Sequence, residues 1–590
     1  MMRTHTCGEL SIKNVGESVV LCGWLDSKRN HGGILFLMIR DLYGITQCVV
    51  EPSNKFFNTA EKLTNETVIK IKGTVRKRPQ GNENKNIPTG EIEVYLNELE
   101  VLNEATPLPF PVADYVNVTE ETRLKYRYID IRRSTMKKNL VLRSKIAQVV
   151  RNYLYSNNFN EIETPILTKS TPEGARDFLV PSRTNPGKFY ALPQSPQMFK
   201  QILMVSGMDR YFQLARNFRD EDLRSDRQPE HTQIDLEMSF VDEKDIAEIV
   251  EGMMKEVFKF IGEDIETPFP EIEYEDAMLR YGSDKPDLRF DYEIKDITEI
   301  FKESDFKIFR DQVSEGGVIR GINAKTISFS RAEIDKLIDV LKSNGAKGLI
   351  WGRMKEGKIE SSIAKFLKTG EISSMIEKLE IKEGDTFFIL TDIPKNIIKY
   401  IGILRNEIIK RDKNPKKKWA FLWVRHFPLF EWKEEEKRYD ATHNPFTAPL
   451  PNEIYKLDIK EELENIKSCQ YDLVLNGVEL GSGSIRNHKK EIQEKIFRIM
   501  GYSDKEIKEK FGMLVESLAY GAPPHGGIGI GFDRLIAMIC GCQSIREVIA
   551  FPKTTSGICP LMEAPSEVSE KQLEELSIRI IKNEIPKMDN

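Results

Sequence analysis

Two runs of strict alternation, joined by a dense charged loop, constrain this chain more than any other feature. In YFQLARNFR, residues 211–219, Phe212, Leu214 and Arg216 fall on one side and Gln213, Ala215, Asn217 and Arg219 on the other. Further on, Ile234, Leu236, Met238 and Phe240 share a face, and Gln233, Asp235 and Glu237 share the opposite one. The joining stretch, FRDEDLRSDRQPEHTQID at 218–235, carries three arginines and six carboxylates among eighteen residues. Period-two alternation on both sides of a polar loop predicts an antiparallel pair with one apolar and one polar face. The polar face is either a wet surface or the floor of a site.

A chain of 590 residues is too long for one core and predicts several domains. At 40% hydrophobic and 30% charged residues the composition is that of a soluble globular protein. MMRTHTCGEL lacks the apolar run of a signal peptide, and no stretch reaches eighteen apolar residues, so the expected location is the cytoplasm. Seven cysteines at irregular spacing make neither a disulfide framework nor a zinc site. The net charge of −5 does not advertise a nucleic-acid binder, but Lys70, Lys72, Arg76, Lys77, Arg78 and Lys85 cluster locally. Lys413, Lys416, Lys417 and Lys418 form a second group.

Five short strand patterns with turn residues between them occupy the first 105 residues and predict a small closed barrel, the OB-fold being the five-stranded option. A proline-rich linker follows. A helix is expected near 136–157, then a strand, FNEIETPIL, ended by Pro165. Residues 290–415 change to a Lys- and Ile-rich style and read as an inserted α/β domain, after which the earlier style resumes.

Three further stretches carry chemistry. GGIGIGFDRL at 526–535 fails both the P-loop and the dinucleotide patterns, but its alternating glycines would let a flat group approach the backbone, with Arg534 reaching a phosphate. In YDLVLNGVELGSGSIR, Asn476-Gly477 signals a tight hairpin. That turn pairs Leu475 with Val478 and Val474 with Glu479, which makes Asp472 and Glu479 diagonal neighbours able to share a divalent ion. Regular alternation puts Arg486 on the other face unless Gly481-Ser482-Gly483 forms a bulge. TPEGARD and QSPQMFK place Glu173, Ser195, Gln197 and Lys200 where they could bind a small zwitterion.

ETP, FRDE…RQPEHTQID and GIGIGFDR resemble, in order, the three motifs of class II aminoacyl-tRNA synthetases. TPEGARD, QSPQMFK, NPFTAP and the N-terminal barrel narrow the resemblance to the bacterial-type aspartyl-tRNA synthetases, and it covers nearly the whole chain. It implies a multidomain α+β fold: an OB-fold anticodon-binding domain at 1–108, a hinge at 109–130, an antiparallel-sheet catalytic domain at 131–287 and 418–560, an inserted α/β domain at 288–417 and an extension at 561–590. It implies a homodimer, ATP as a substrate and Mg2+ as the metal. Glu173, Ser195, Gln197, Lys200, Arg219, Asp235, His443 and Arg486 would bind aspartate, with Lys200 and Arg486 on its side-chain carboxylate. Arg219, Asp220, Glu221, Gln228, His231, Glu479, Gly531, Phe532, Asp533 and Arg534 would bind ATP, His231 standing where relatives have a stacking Phe. Asp472 and Glu479 would hold the metal. Arg29, Phe36 and Gln47 would read the anticodon, and Lys28 and the 70–85 cluster would follow the tRNA backbone. His31 and Gly81 match the residues of relatives that charge both tRNA-Asp and tRNA-Asn, with an amidotransferase possible downstream. A strict tRNA-Asp enzyme, an asparaginyl or lysyl synthetase, and a single-strand-binding OB protein with an inactive body are the competing readings.

Overall fold

The computed structural model describes residues 1–171 and 174–581. The chain divides into two compact units, Met1–Lys138 and Asn139 onward. In the first, β1 (Ser18–His31), β2 (Ile34–Arg40), β3 (Ile45–Val50), β4 (Val68–Lys77) and β5 (Ile92–Asn103) close into a barrel of order β1-β2-β3-β5-β4. Alternation sets it: Leu35, Leu37 and Ile39 of β2 point into a core with Leu21, Ile71 and Val94, while Phe36 and Met38 lie on the outer side. His31-Gly32-Gly33-Ile34 forms the first hairpin, with both glycines at positive φ as the tight turn requires.

The second unit is built on eight strands: β6 (Asn160–Glu161), β7 (Arg210–Phe218), β8 (Glu230–Ser239), β9 (Glu271–Glu273), β10 (Phe421–Arg425), β11 (Gln470–Leu475), β12 (Val478–Ile485) and β13 (His525–Gly531). Their order is β9-β10-β11-β12-β13-β8-β7-β6, and only the two edge pairs are parallel. One face packs on the helices Ser134–Ser156, Glu243–Phe260 and Phe532–Ile539; Phe212, Ile234, Leu236, Leu473 and Ile528 enter that core with Ile146, Val250 and Leu535. The opposite face is polar. β7 and β8 pair antiparallel with Ile234 opposite Leu214 and Gln233 opposite Ala215, so the expected two-faced pair forms. Phe240 departs from the pattern: at φ 59° just past the strand end it is 75% exposed.

The FNEIETPIL stretch pairs over only two residues, because Thr164 turns its N–H and hydroxyl to the Gln213 side chain (3.2 and 3.0 Å) instead of continuing the ladder. Between β9 and β10 lies a separate five-stranded sheet (strands between Ile294 and Asp392) with an apolar core on each face. It joins the larger sheet's body through Arg405, whose guanidinium donates to the carbonyls of Tyr292 (2.7 Å) and Asp287 (2.9 Å), and through a close approach of Gly282 to Gly402 that no Cβ could enter. All seven cysteines are free thiols, and among the described residues no helix is long and apolar enough to cross a membrane.

Candidate functional site

The polar face of the eight-stranded sheet carries two adjoining features on β8, β12 and β13. The first is a buried cluster of charge. The helix Gln197–Val205 delivers Lys200, whose ammonium lies 2.8 Å from Asp235 and 3.3 Å from Glu237 of β8. Arg486, just past β12, reaches Glu237 at 3.0 Å through Nε and donates from Nη1 to Ser484 at 2.7 Å. All four charged side chains are at most 3% exposed. Burial raises the Asp235 carboxyl above its ordinary range, and Lys200 only partly offsets this. Burial also pushes Glu237 upward, but Arg486 and Lys200 together overcome it and hold Glu237 low. One oxygen of the cluster, Asp235 Oδ2, is buried with no donor.

Arg486 reaches this cluster because of a bulge. Asn476 and Gly477 turn at φ 53° and 79°, and Val474 pairs with Glu479 as the sequence predicts. The register then shifts, so that Leu473 faces Gly481 and Leu480 is the extra residue. The bulge therefore falls before the expected Gly481-Ser482-Gly483, and it puts Ser482, Ser484 and Arg486 on the face of Asp472 and Glu479.

The second feature is a cavity of about 270 Å³ lined by Arg219, Glu221, His231, Glu479, Gly531 and Arg534, among others. Arg534 is held by the Glu479 carbonyl and lies 3.7 Å from Asp226. The Nε of Arg219 is buried without an acceptor. Burial, then Arg219, Arg216 and Arg534, push the His231 imidazole down to about 3. His231 is therefore a flat, neutral ring at neutral pH, which removes the titratable charge that an imidazole in place of a Phe introduces.

The loop from 219 to 229 is tied down at several points. Ile545 N–H and Ser544 Oγ donate to the Ser225 carbonyl (3.2 and 3.0 Å), and the Gln228 amide exchanges two hydrogen bonds with the Lys553 backbone (3.0 and 2.8 Å). Gln228 thus fixes the loop with the amide that was expected on the nucleotide. Glu221 pairs with Arg227 at 3.2 Å, and Asp220 is an exposed partner of Arg176 at 3.9 Å. Asp533 does not face the cavity as a free carboxylate: it accepts from Thr232 N–H (2.8 Å) and from Arg143, bracing β8 to its neighbours. The Phe532 side chain lies in the apolar core, away from the cavity. The glycines of β13 also differ from expectation. A Cβ at Gly527 would strike Glu237 (2.1 Å) and one at Gly529 would strike Gln233 (1.9 Å), so these two make room for protein side chains, while Gly529 and Gly531 both line the cavity.

Asp472 is buried, accepts from Gln470 at 2.9 Å, and is raised to about 6 by burial and by Glu479, with His443 opposing. His443 itself is exposed and stands edge-on to Phe427 at 4.6 Å. Asn444 accepts from Phe446 N–H and Thr447 Oγ1, shaping the turn that carries Thr447 to Ser484. Among the described residues no three ligating side chains converge on one point. Two mutually repelling carboxylates, one buried, beside an arginine-lined cavity nevertheless fit Mg2+, which takes one or two carboxylates and completes its shell with water and phosphate oxygens. Ser195 accepts from Gln197 N–H at 3.3 Å at the start of its helix. Glu173 lies outside the described residues.

On the barrel, Arg29 pairs with Phe36 and Gln47 with Met38, placing Arg29, Phe36 and Gln47 on one outer face. Gln47 donates to Glu93 at 2.9 Å. Gly81 sits at φ 88° in an exposed loop where a Cβ would meet nothing. The expected basic track is largely engaged within the barrel itself. Lys28 caps the carbonyls of Glu61 and Leu63, Lys70 and Lys72 pair with Glu100 and Glu98 across β4–β5, and Arg78 is buried on the Ile92 carbonyl.

Glu237, Ser484, Gln201 and His525 belong to the site region but were not singled out as site residues from sequence. Glu237 was detectable as the third polar residue of the β8 alternation. The others depend on the bulge and on packing between distant segments.

Antiparallel ladders across the site exclude a doubly wound nucleotide fold, and an antiparallel sheet carrying an arginine-lined cavity is the arrangement expected of a class II aminoacyl-tRNA synthetase. Comparison with known proteins then gives the family. The profile of tRNA synthetases class II (D, K and N) matches residues 119–555, that of the OB-fold nucleic acid binding domain matches 19–102, and the chain belongs to the former family. It is an aminoacyl-tRNA synthetase, an ATP-dependent ligase. It is 54% identical over 584 residues, 98% of this chain and 100% of the relative, to the aspartate–tRNA(Asp/Asn) ligase of Elusimicrobium minutum. The protein of that name from Aquifex aeolicus is 49% identical, with 98% of each chain covered. Among solved structures, asparaginyl-tRNA synthetase from Pyrococcus horikoshii with asparaginyl-adenylate gives a TM-score of 0.59 at 19% identity, covering 94% of this chain and 99% of that one. Aspartyl tRNA synthetase from Entamoeba histolytica gives 0.55 at 19%, covering 92% and 90%. At such identities these two support the fold alone.

Proposed function

We propose that this chain is an aspartate–tRNA ligase that activates L-aspartate with ATP and transfers it to the 3′ end of both tRNA-Asp and tRNA-Asn. The observation that carries the reading is a pair of orphan atoms on one sheet face: Asp235 Oδ2, a buried acceptor with no donor, and Arg219 Nε, a buried donor with no acceptor. Such atoms are costly unless a ligand completes them. An aminoacyl-adenylate brings an ammonium for the first and a phosphate for the second.

Lys200 and Arg486 are the cations that would receive the side-chain carboxylate of aspartate. In the free protein they are paired with Asp235 and Glu237, so a substrate side chain must compete for them, and a charged carboxylate competes better than a neutral asparagine amide. The substrate's α-carboxylate oxygen attacks the α-phosphorus, the bond to the leaving pyrophosphate breaks, and no protein nucleophile is needed. Arg219 would stabilise charge at the α-phosphate and Arg534 would hold the far end of the triphosphate, their planar forks matching paired phosphate oxygens. Asp472 and Glu479 would hold Mg2+, which neutralises triphosphate charge when bound. The neutral His231 ring offers adenine a flat face.

On the barrel, Phe36 offers a stacking face for an unpaired anticodon base, with Arg29 and Gln47 beside it. Dual tRNA use rests on the names of the relatives at about half identity and on His31 and Gly81, the latter having no side chain with which to reject a base. The reading includes a cytoplasmic homodimer, and an Asp-tRNA-Asn product would call for an amidotransferase downstream. The test is charging of both transcripts by one preparation. Aspartylation of tRNA-Asn within about tenfold of tRNA-Asp is expected, each 1.4 kcal/mol of discrimination being a factor of ten. Failure at several times the enzyme concentration sufficient for tRNA-Asp would reduce the proposal to a strict enzyme.

A further inference from the structure

Gln197 ends a chain of three buried side chains whose hydrogen bonds can point only one way. The imidazole of His525 is fully buried at the start of β13 and lies 2.8 Å through Nδ1 from the carbonyl of Pro523. A carbonyl can only accept, so Nδ1 carries the proton. Burial depresses the His525 pKa, against the opposing pull of Glu237, which keeps the ring neutral. Its Nε2 is then a lone pair. Gln201 lies 3.1 Å from that lone pair and must meet it with an N–H. The same amide is thereby forced to turn its carbonyl toward Gln197, whose Nε2 donates to it at 3.0 Å. One end of the Gln197 amide is committed, and the end turned away from Gln201 is the carbonyl oxygen.

We infer that Gln201 and His525 are positioning residues for amino-acid binding. The Pro523 carbonyl sets the His525 tautomer, the tautomer sets Gln201, and Gln201 fixes Gln197 so that its Oε1, rather than its NH₂, faces the amino acid. An amide is nearly symmetric in shape, and without such a device it would present either end. An acceptor suits the ammonium of the substrate; a donor there would repel it. This deepens the aspartate-ligase reading and rests on Gln197 meeting the ammonium. His525 also adjoins the charge cluster, its backbone carbonyl accepting from the backbone N–H of Arg486 at 2.9 Å.

The test uses the full-length enzyme in aspartate-dependent ATP–pyrophosphate exchange, with aspartate and ATP varied separately. Gln201→Met keeps the shape and removes both hydrogen bonds. Its KM for aspartate should rise about tenfold while KM for ATP and kcat stay within about twofold, the loss being of the size of one hydrogen bond to a charged group. Gln201→Glu keeps an acceptor toward Gln197 and should recover part of that loss. Nitrogen NMR of histidine-labelled wild-type protein, assigned with His525→Asn, should find His525 protonated on Nδ1 alone. An Nε2–H tautomer, an unchanged aspartate KM in Gln201→Met, or a Gln201→Glu no better than Gln201→Met would overturn the relay. Absence of aspartate-dependent exchange by the wild-type enzyme would instead remove the aspartate reading beneath it.

Discussion

The sheet face and the barrel face both handle charged ligands, yet they are built in opposite ways. On the sheet, Lys200, Asp235, Glu237 and Arg486 are buried and satisfied mainly by one another. On the barrel, Arg29 and His31 stand in solvent, Phe36 and Gln47 are half covered, and the nearby lysines pair with glutamates that are themselves exposed. Burial makes each charge on the sheet depend on its neighbours, since an uncompensated ion in a low-dielectric interior is expensive. Exposure makes each barrel contact nearly independent and screened by salt. A small diacid and a reacting phosphate call for the first design. Flexible unpaired bases suit the second.

The contrast can be broken most directly at Glu237. Glu237→Gln leaves Lys200 and Arg486 short of a counter-charge, and removing one partner of a buried pair costs about 3–5 kcal/mol. A large fall in Tm together with loss of aspartate activation is expected; an unchanged Tm in calorimetry would mean the cluster is not a coupled unit. Arg219→Ala comes next. It should retain the fold by circular dichroism but raise the activation barrier by about 3 kcal/mol, read as a loss of roughly 10²-fold in pyrophosphate exchange.

A smaller and more local effect is expected on the barrel. Phe36→Ala should weaken tRNA by about 1–3 kcal/mol through lost stacking, raising KM for tRNA while aspartate-dependent exchange stays as in wild type. Any fall in exchange would show that the two faces are not independent. The last test is a slope. The folded-state pKa of His231 is about 3, below its unfolded value near 6.5, so the unfolded chain binds the additional proton between these limits. Stability should therefore rise with pH across that window and be lost as pH falls. In His231→Phe the slope should be shallower by up to about 1.4 kcal/mol per pH unit, measured by urea unfolding from pH 4 to 7. Equal slopes would place a charged imidazole in the cavity.

Much of the site was legible locally. The two faces of β7 and β8 follow from alternation alone, and the Asn476-Gly477 turn fixes Val474 opposite Glu479 because only the primed turn types suit both residues at positive φ. The barrel strands were legible for the same reason. Arg486 was legible only as a conditional, since one inserted residue reverses every side chain beyond it and the bulge sits at Leu480, which has no distinctive residue type. The glycines of β13 were recognised as a close-approach device, but sequence could not say what approaches. Gln233 and Glu237 do so from a strand nearly three hundred positions earlier.

The sequence by itself determined the strands, the polarity of their faces and the identity of the charged groups, because these depend on a period of two and on side-chain chemistry within a few residues. Tertiary structure decided which charges meet. It chose Glu237 as the shared partner of Lys200 and Arg486, left Asp235 Oδ2 and Arg219 Nε without protein partners, and gave His525 its tautomer. Those outcomes depend on groups from remote segments being buried together, and burial is what turns a list of ionisable side chains into a site with a fixed arrangement of protons and charge.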